Sequence, residues 1–223
     1  MNVDSLKQEL ANAIKMLERA GHIDFNGHGS ARIPGTETIL INERKASRSS
    51  VTADDIIAID LDGKVVEGNG EPPNEFPLHT EIYRHRHDVN AVLHTHPKWS
   101  TFFTITKVPL RPVIIQGAVL GEIPILEKSY SISNKKMALE LVETLGDKSV
   151  ALMKAHGAVL VGQNLQEAFA RSVFLEENAY RQYMASQIGY AHSLDIAEIE
   201  EMSQFIWQPK NIEKVWVNYL SKL

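Results

Sequence analysis

The sequence contains no cysteine among its 223 residues. A chain without cysteine cannot form disulfide bonds, and it cannot bind a metal ion through thiolates. Any metal ion must therefore be bound by imidazole and carboxylate groups. The chain has both in number, with 9 histidines and 28 acidic residues.

Long apolar runs and a surplus of positive charge are also missing. No run approaches the roughly 20 apolar residues that span a bilayer, and the N-terminus lacks the pattern of a secretory signal. We therefore expect a cytoplasmic protein with no membrane partner. The formal net charge is −5, and no cluster of Lys or Arg predicts a nucleic-acid partner.

The remaining composition is that of an ordinary globular protein, with 43% hydrophobic and 23% charged residues. The length lies slightly above the usual range for one domain. We expect residues 1–223 to form a single domain rather than two small ones.

Short strands joined by turns alternate with helices along the chain. Helical periodicity covers residues 6–20, 74–86, 135–145 and 164–186, with a further helical stretch after 196. Predicted strands cover residues 31–33, 38–41, 56–60, 65–66, 91–94, 113–115, 150–153 and 159–161. The turn pairs Pro34-Gly35 and Asp62-Gly63 favour hairpins. The pattern predicts an α/β (α+β) layered fold with a mainly antiparallel sheet.

Three histidines lie at the ends of predicted strands. His94 and His96 are alternate residues, so an extended chain points both side chains to the same side. His156 follows the strand at 150–153 and precedes Gly157. A single His-x-His pair often flanks a core strand by accident. A third strand-end histidine in a chain without cysteine instead favours a site for one divalent metal ion.

Glu75 and His79 are four residues apart on a predicted helix and so share one face. A carboxylate near a bound cation serves as a further ligand or as a general base. His79 is a candidate supporting partner. The alternative is an exposed glutamate in a first helical turn, where the helix dipole favours negative charge.

The segment from Gly27 to Arg32 reads Gly-His-Gly-Ser-Ala-Arg. Its glycines permit backbone N–H groups to approach an anion, and its side chains add donors. His28, Ser30 and Arg32 are our candidates for binding a substrate carboxylate. The segment equally fits a simple turn between a helix and a strand.

Taken in order, these motifs resemble the class II aldolase/adducin family. The resemblance rests on Glu75 with Leu78-His79, on residues 88–97 (Asp-Val-Asn-Ala-Val-Leu-His-Thr-His-Pro) and on residues 154–157 (Lys-Ala-His-Gly). It extends from the first helix to the long helix after Asn164.

The resemblance implies a three-layer αβα fold with a central, mainly antiparallel sheet. It also implies one divalent cation on His94, His96 and His156, with Glu75 as the catalytic acid/base. Zinc or manganese is expected first, and iron or cobalt are alternatives. Family members commonly form homotetramers, so a homo-oligomer is expected.

The chain departs from the sugar-phosphate aldolases of the family where those enzymes bind phosphate. Gly27-His28 stands in place of a Gly-Asn pair, residues 43–50 in place of a Thr-Gly pair, and Pro73-Asn74 in place of two serines. The pattern instead resembles the family's decarboxylases, which implies a metal-dependent carbon–carbon lyase that decarboxylates a hydroxylated aromatic or heteroaromatic carboxylate. The divalent ion would then stabilise an enolate-type anion.

Two alternatives stay open. One is an aldolase that cleaves a phosphorylated sugar or ketose, with Arg48, Ser49, Ser50 or the glycine turn that begins at Gly27 binding the phosphate. The other, from a different class, is a non-catalytic interaction module like the adducin head. Adducin-like members lack the metal ligands, whereas this chain has all three histidines and the glutamate.

Overall fold

The computed structural model describes residues 2–223. Eight strands form one sheet: β1 (His28–Arg32), β2 (Ile39–Asn42), β3 (Ile56–Ile59), β4 (Val65–Glu67), β5 (Ala91–Thr95), β6 (Ile125–Leu126), β7 (Val150–Met153) and β8 (Gly157–Gly162). Their order across the sheet is β4-β3-β2-β1-β5-β8-β7-β6. Every neighbouring pair is antiparallel except β6 and β7. The expected mainly antiparallel sheet is confirmed.

Helices cover both faces of the sheet. In the described residues they are α1 (Val3–Arg19), α2 (Phe76–His85), α3 (Lys98–Ile105), α4 (Lys135–Leu145), α5 (Leu165–Ile188), α6 (Ile196–Ile206) and α7 (Pro209–Leu220). Asn2, Asn134, Asn164 and Asp195 each accept a hydrogen bond from a first-turn N–H of the helix that follows. These caps fix where the four helices begin.

The alternation of side chains along the strands produces two cores. Leu40 and Leu93 point to the face covered by α1, α5 and α7. Ile41 and Val92, their neighbours in sequence, point to the face covered by α2 and α4. Since strand residues alternate between faces, β2, β3, β5, β7 and β8 each contribute to both cores. The result is the expected αβα layering.

Three details differ from the sequence-based expectations. The strand predicted at residues 113–115 is wrong, because the backbone N–H groups of Val113 and Ile114 point to the Asn178 side chain on α5 instead of to a neighbouring strand. A 3₁₀ helix then begins at Ile115. Helix α3 and the two-residue strand β6 were not predicted.

None of the helices in the span 2–223 has the length and apolar composition required to cross a membrane.

Candidate active site

The pairing of strands brings the predicted histidines together. His28 on β1 lies directly opposite His94 on β5. His96 follows β5 by one residue, and His156 lies in the turn between β7 and β8. Because β8 is the other neighbour of β5, this turn ends beside His96. Residues distant in sequence therefore meet at one end of the central strands β1 and β5.

The turn that carries His156 has two special backbone positions. Ala155 has a positive φ of 52°, which is uncommon for a residue with a Cβ. Its N–H donates to the hydroxyl of Thr104, 3.0 Å away. A Cβ on Gly157 would lie 2.2 Å from the carbonyl oxygen of Thr95. Only glycine permits β8 to approach β5 this closely beside the histidines.

Glu75, His94, His96 and His156, which we call the His–Glu cluster, converge on one point. Each offers a ligand atom, and these atoms all lie within 4.8 Å of one another. The Nε2 atoms of His94 and His96 are 3.0 Å apart. Glu75 Oε2 is 3.5 Å from His94 Nε2, and Glu75 Oε1 is 3.7 Å from His156 Nε2.

The outer nitrogens of two of these rings have partners that only accept. His94 Nδ1 donates to the carbonyl of Ala158 at 3.1 Å, and His96 Nδ1 donates to the Asp24 carboxylate at 3.2 Å. In the neutral rings both Nε2 atoms therefore carry lone pairs, and these face each other across 3.0 Å. Such an arrangement is unfavourable until a cation lies between the two nitrogens. The donor set and its tautomers fit a divalent metal ion.

The electrostatics of the site agree with that fit. Burial lowers the pKa of His96 to about 4, and it also lowers the pKa of His156. Both rings are therefore neutral near pH 7, as metal ligands must be. Burial tends to raise the pKa of Glu75, but the interaction with the adjacent ring of His28 brings it below its usual range. The Ile132 N–H also donates to Glu75 Oε1 at 2.7 Å, so the carboxylate is ionised.

The three residues predicted to bind a substrate carboxylate differ in position. His28 lies in the site, with Nε2 3.7 Å from Glu75 Oε2. Ser30 is fully buried, and its hydroxyl contacts His79 Nδ1 and the Tyr83 hydroxyl. Arg32 donates to the carbonyl of Tyr83 at 2.7 Å. These contacts leave His28 alone facing the His–Glu cluster, whereas Ser30 and Arg32 are bound to groups of the protein itself.

Arg48, the candidate phosphate ligand of the aldolase alternative, is bound to the protein's own backbone. It is 5% exposed. Its Nε donates to the Gly27 carbonyl at 2.6 Å, and its Nη1 donates to the carbonyl of Ala46. Ser49 and Ser50 are exposed on the loop outside it. The guanidinium therefore holds the loop against β1.

Two contributors to the site were missed by sequence reasoning. Asp24 lies in the polar stretch before β1, and no spacing links it to His96, which is 72 positions away. The Ile132 N–H that holds Glu75 is a backbone group in a segment without a recognisable motif. Both contacts arise from tertiary structure. The sequence alone showed only that residue 24 is polar.

A protein-family comparison defines the class of this molecule. The family described as "Class II Aldolase and Adducin N-terminal domain" matches residues 8–183. This chain belongs to that family.

Two individual relatives carry the names of specific enzymes. The chain is 28% identical to a 3,4-dihydroxyphthalate decarboxylase of Arthrobacter keyseri, over 97% of this chain and 93% of the relative. It is 36% identical to an L-fuculose phosphate aldolase of Methanocaldococcus jannaschii, over 68% of this chain and 81% of the relative. Both names describe carbon–carbon lyases.

A solved structure gives the same result for the fold. The crystal structure of an aldolase II superfamily protein from Pseudomonas syringae superposes with a TM-score of 0.87 and 25% identity. It covers 98% of this chain and 92% of the other. The expected family and fold class are confirmed.

Proposed function

We propose that this protein is a metal-dependent lyase that decarboxylates a hydroxylated aromatic or heteroaromatic carboxylate. The observation that carries the proposal is the His–Glu cluster, in which three imidazoles and one carboxylate converge within 4.8 Å. The relative that aligns over 97% of the chain is named a decarboxylase. Arg48 in the loop at 43–50 donates to backbone carbonyls, which argues against its binding a phosphate group on the substrate.

One divalent cation per chain would be held by His94, His96 and His156. Zinc or manganese suits this donor set, and iron or cobalt are alternatives. When bound, the ion supplies an electrophile that stabilises negative charge on a substrate oxygen.

Glu75 is the proposed acid/base. It begins as a carboxylate because its pKa lies below the usual range, so it first takes the proton of the substrate's hydroxyl group. Glu75 next passes this proton to the ring carbon that bears the carboxylate, which restores the Glu75 carboxylate. The carbon–carbon bond then breaks, CO2 leaves, and the electron pair returns to the ring and places the negative charge on the former hydroxyl oxygen.

The second candidate is aldol cleavage of a phosphorylated sugar. The 36% identity to the M. jannaschii aldolase favours it, and the same Glu75 would take a hydroxyl proton. It requires a phosphate-binding group other than Arg48, whose guanidinium is occupied by backbone carbonyls.

The proposal also covers the oligomeric state and the cellular location of the protein. We expect a homotetramer, as in the family. Phe102 on α3 stacks with Tyr183 on α5 at 5.9 Å, and both are more than a third exposed. Such a surface supports association with another copy of the chain. We expect the protein in the cytoplasm.

The test compares Glu75→Gln with Glu122→Gln, a change at an exposed glutamate. Loss of the carboxylate base should lower CO2 release by at least about hundredfold, whereas the control should retain it. The assay measures CO2 from 3,4-dihydroxyphthalate and related ortho-hydroxylated acids on metal-loaded protein. Cleavage of L-fuculose 1-phosphate without any CO2 release would replace this proposal with the aldolase candidate.

A further inference from the structure

A chain of four buried side chains runs from the active site to the interior beneath α2. Tyr83 OH lies 3.0 Å from Ser30 Oγ, and Ser30 Oγ lies 2.6 Å from His79 Nδ1. His79 Nε2 is 2.7 Å from His28 Nδ1. None of the four is more than 2% exposed. We call this series the Tyr83–His28 chain.

The hydrogen bonds of the Tyr83–His28 chain have one favourable direction. If Tyr83 donates to Ser30, Ser30 can donate to His79 Nδ1 and His79 Nε2–H can donate to His28 Nδ1. The hydrogens of Tyr83, Ser30 and His79 are then all used. In the reverse direction the Tyr83 hydroxyl would need another acceptor, and residues 2–223 offer it none besides Ser30. A buried donor without an acceptor is unfavourable.

This direction determines which nitrogen of His28 carries the proton. Because Nδ1 accepts from His79, a neutral His28 ring has its hydrogen on Nε2. That atom faces the active site, 3.7 Å from Glu75 Oε2. The ring of His28 also lies 4.8 Å from that of His94, between centroids. His28 therefore presents an N–H donor beside the His–Glu cluster.

We propose that Tyr83, Ser30 and His79 are positioning residues that keep His28 in its Nε2–H tautomer, and that this N–H binds an anionic substrate oxygen. A neutral donor can bind a carboxylate oxygen without adding a second positive charge next to a divalent cation. The other tautomer would direct a lone pair at the same oxygen and repel it. That the anion is a carboxylate rests on the proposed function, whereas the tautomer does not.

The first test measures the tautomer directly. Nitrogen-15 NMR of the His28 ring, assigned with His28→Gln, is recorded on the intact protein in metal-free and zinc-loaded form. We expect a single tautomer with a protonated Nε2 in both. A protonated Nδ1, or an equal mixture of tautomers, would overturn the proposal. This measurement needs no turnover, so it remains valid if the proposed reaction is wrong.

The second test removes one link and compares it with a matched change elsewhere. Ser30→Ala deletes the donor to His79 and should yield a mixture of His28 tautomers. Ser172→Ala is the control, because Ser172 is a buried serine whose hydroxyl contacts a different histidine, His22 Nδ1, at 2.9 Å. The control should leave the His28 signal unchanged. An unchanged His28 signal in folded Ser30→Ala protein would contradict the positioning role.

Binding of 2-hydroxybenzoate to zinc-loaded protein is the functional readout. His28→Phe and Ser30→Ala should weaken binding about tenfold, and in turnover should raise KM more than they lower kcat. His28→Gln keeps an N–H at a similar reach and should recover most of the affinity. Equal affinity in His28→Phe and the unsubstituted protein would refute the anion-binding role. If the tautomer and affinities are as expected but no CO2 is released from any acid, the decarboxylase proposal fails and this one stands.

Discussion

His94 and His96 differ in what holds the nitrogen that faces away from the His–Glu cluster. His94 donates to a backbone carbonyl, which no side-chain substitution removes. His96 donates to Asp24, whose carboxylate also accepts from the Asn26 N–H at 2.7 Å. A carboxylate behind a histidine fixes its tautomer and raises its basicity. Asp24 is therefore the residue through which the site is most easily tuned.

We predict that Asp24→Asn weakens metal binding by about tenfold or more, because such partners typically contribute 10- to 100-fold. The measurement is competition for zinc against a chelating dye at fixed pH. Asp54→Asn, at an exposed aspartate just before β3, is the control. Equal zinc affinity in Asp24→Asn and the control would show that the Asp24–His96 contact has no such role.

Sequence alone predicted the cluster residues better than their surroundings. The i and i+2 spacing of His94 and His96 required only an extended chain, so their convergence was predictable. Ser30 is also two residues from His28, so both side chains point to the same face of the sheet. The sequence does not reveal that α2 covers that face. Ser30 therefore appeared as a substrate ligand, while the structure buries its hydroxyl against His79.

Among the elements, helices with clear periodicity were predicted, whereas the short helix α3 was not. α4 and α5 begin directly after Asn134 and Asn164, whose side chains cap them, close to the predicted starts. α3 begins directly after Pro97 without a side-chain cap, and it follows a strand so closely that no signal separates the two. β1 begins at His28, three residues before the predicted start, because its glycine appeared to belong to a turn.

The β7–β8 turn is the element on which the cluster geometry most depends. We predict that Gly157→Ala lowers the free energy of unfolding by about 1–3 kcal/mol and reduces metal affinity. The reason is that the new Cβ would lie 2.2 Å from the Thr95 carbonyl and 3.1 Å from a ring carbon of His96. Urea unfolding and zinc titration measure the two effects.

Gly189→Ala is the matched control, since a Cβ there meets no atom within 4 Å. It should change neither quantity beyond the error of the measurement. Unaltered stability of Gly157→Ala would mean that β5 and β8 tolerate a wider separation than the structure shows.

At the scale of the whole molecule, buried neutral histidines link stability to pH. Burial lowers the pKa of His22 to about 4, whereas the unfolded chain has the ordinary value of about 6.5. As the pH falls from 6.5 to 4, the unfolded chain takes up a proton that the folded protein does not. The contribution of His22 is therefore complete above about pH 6.5 and lost by about pH 4.

We predict that the free energy of unfolding of metal-free protein falls over that interval, with about 3 kcal/mol from His22 alone. His28, with a pKa of about 3, and His96, with a pKa of about 4, act in the same direction. Urea unfolding at several pH values measures the slope. His22→Gln should flatten it, whereas His192→Gln, at an exposed histidine, should not. An identical slope in the His22 variant would refute the assignment.

The most direct test of the account is the metal content of the protein, by elemental analysis of chains purified without chelator and then reconstituted with zinc or manganese. We predict about one ion per chain, its loss in His94→Ala, and its retention in His87→Ala, a change at an exposed histidine. A reconstituted protein that binds no ion, or a His94→Ala variant that binds as much as the unsubstituted chain, would contradict the account.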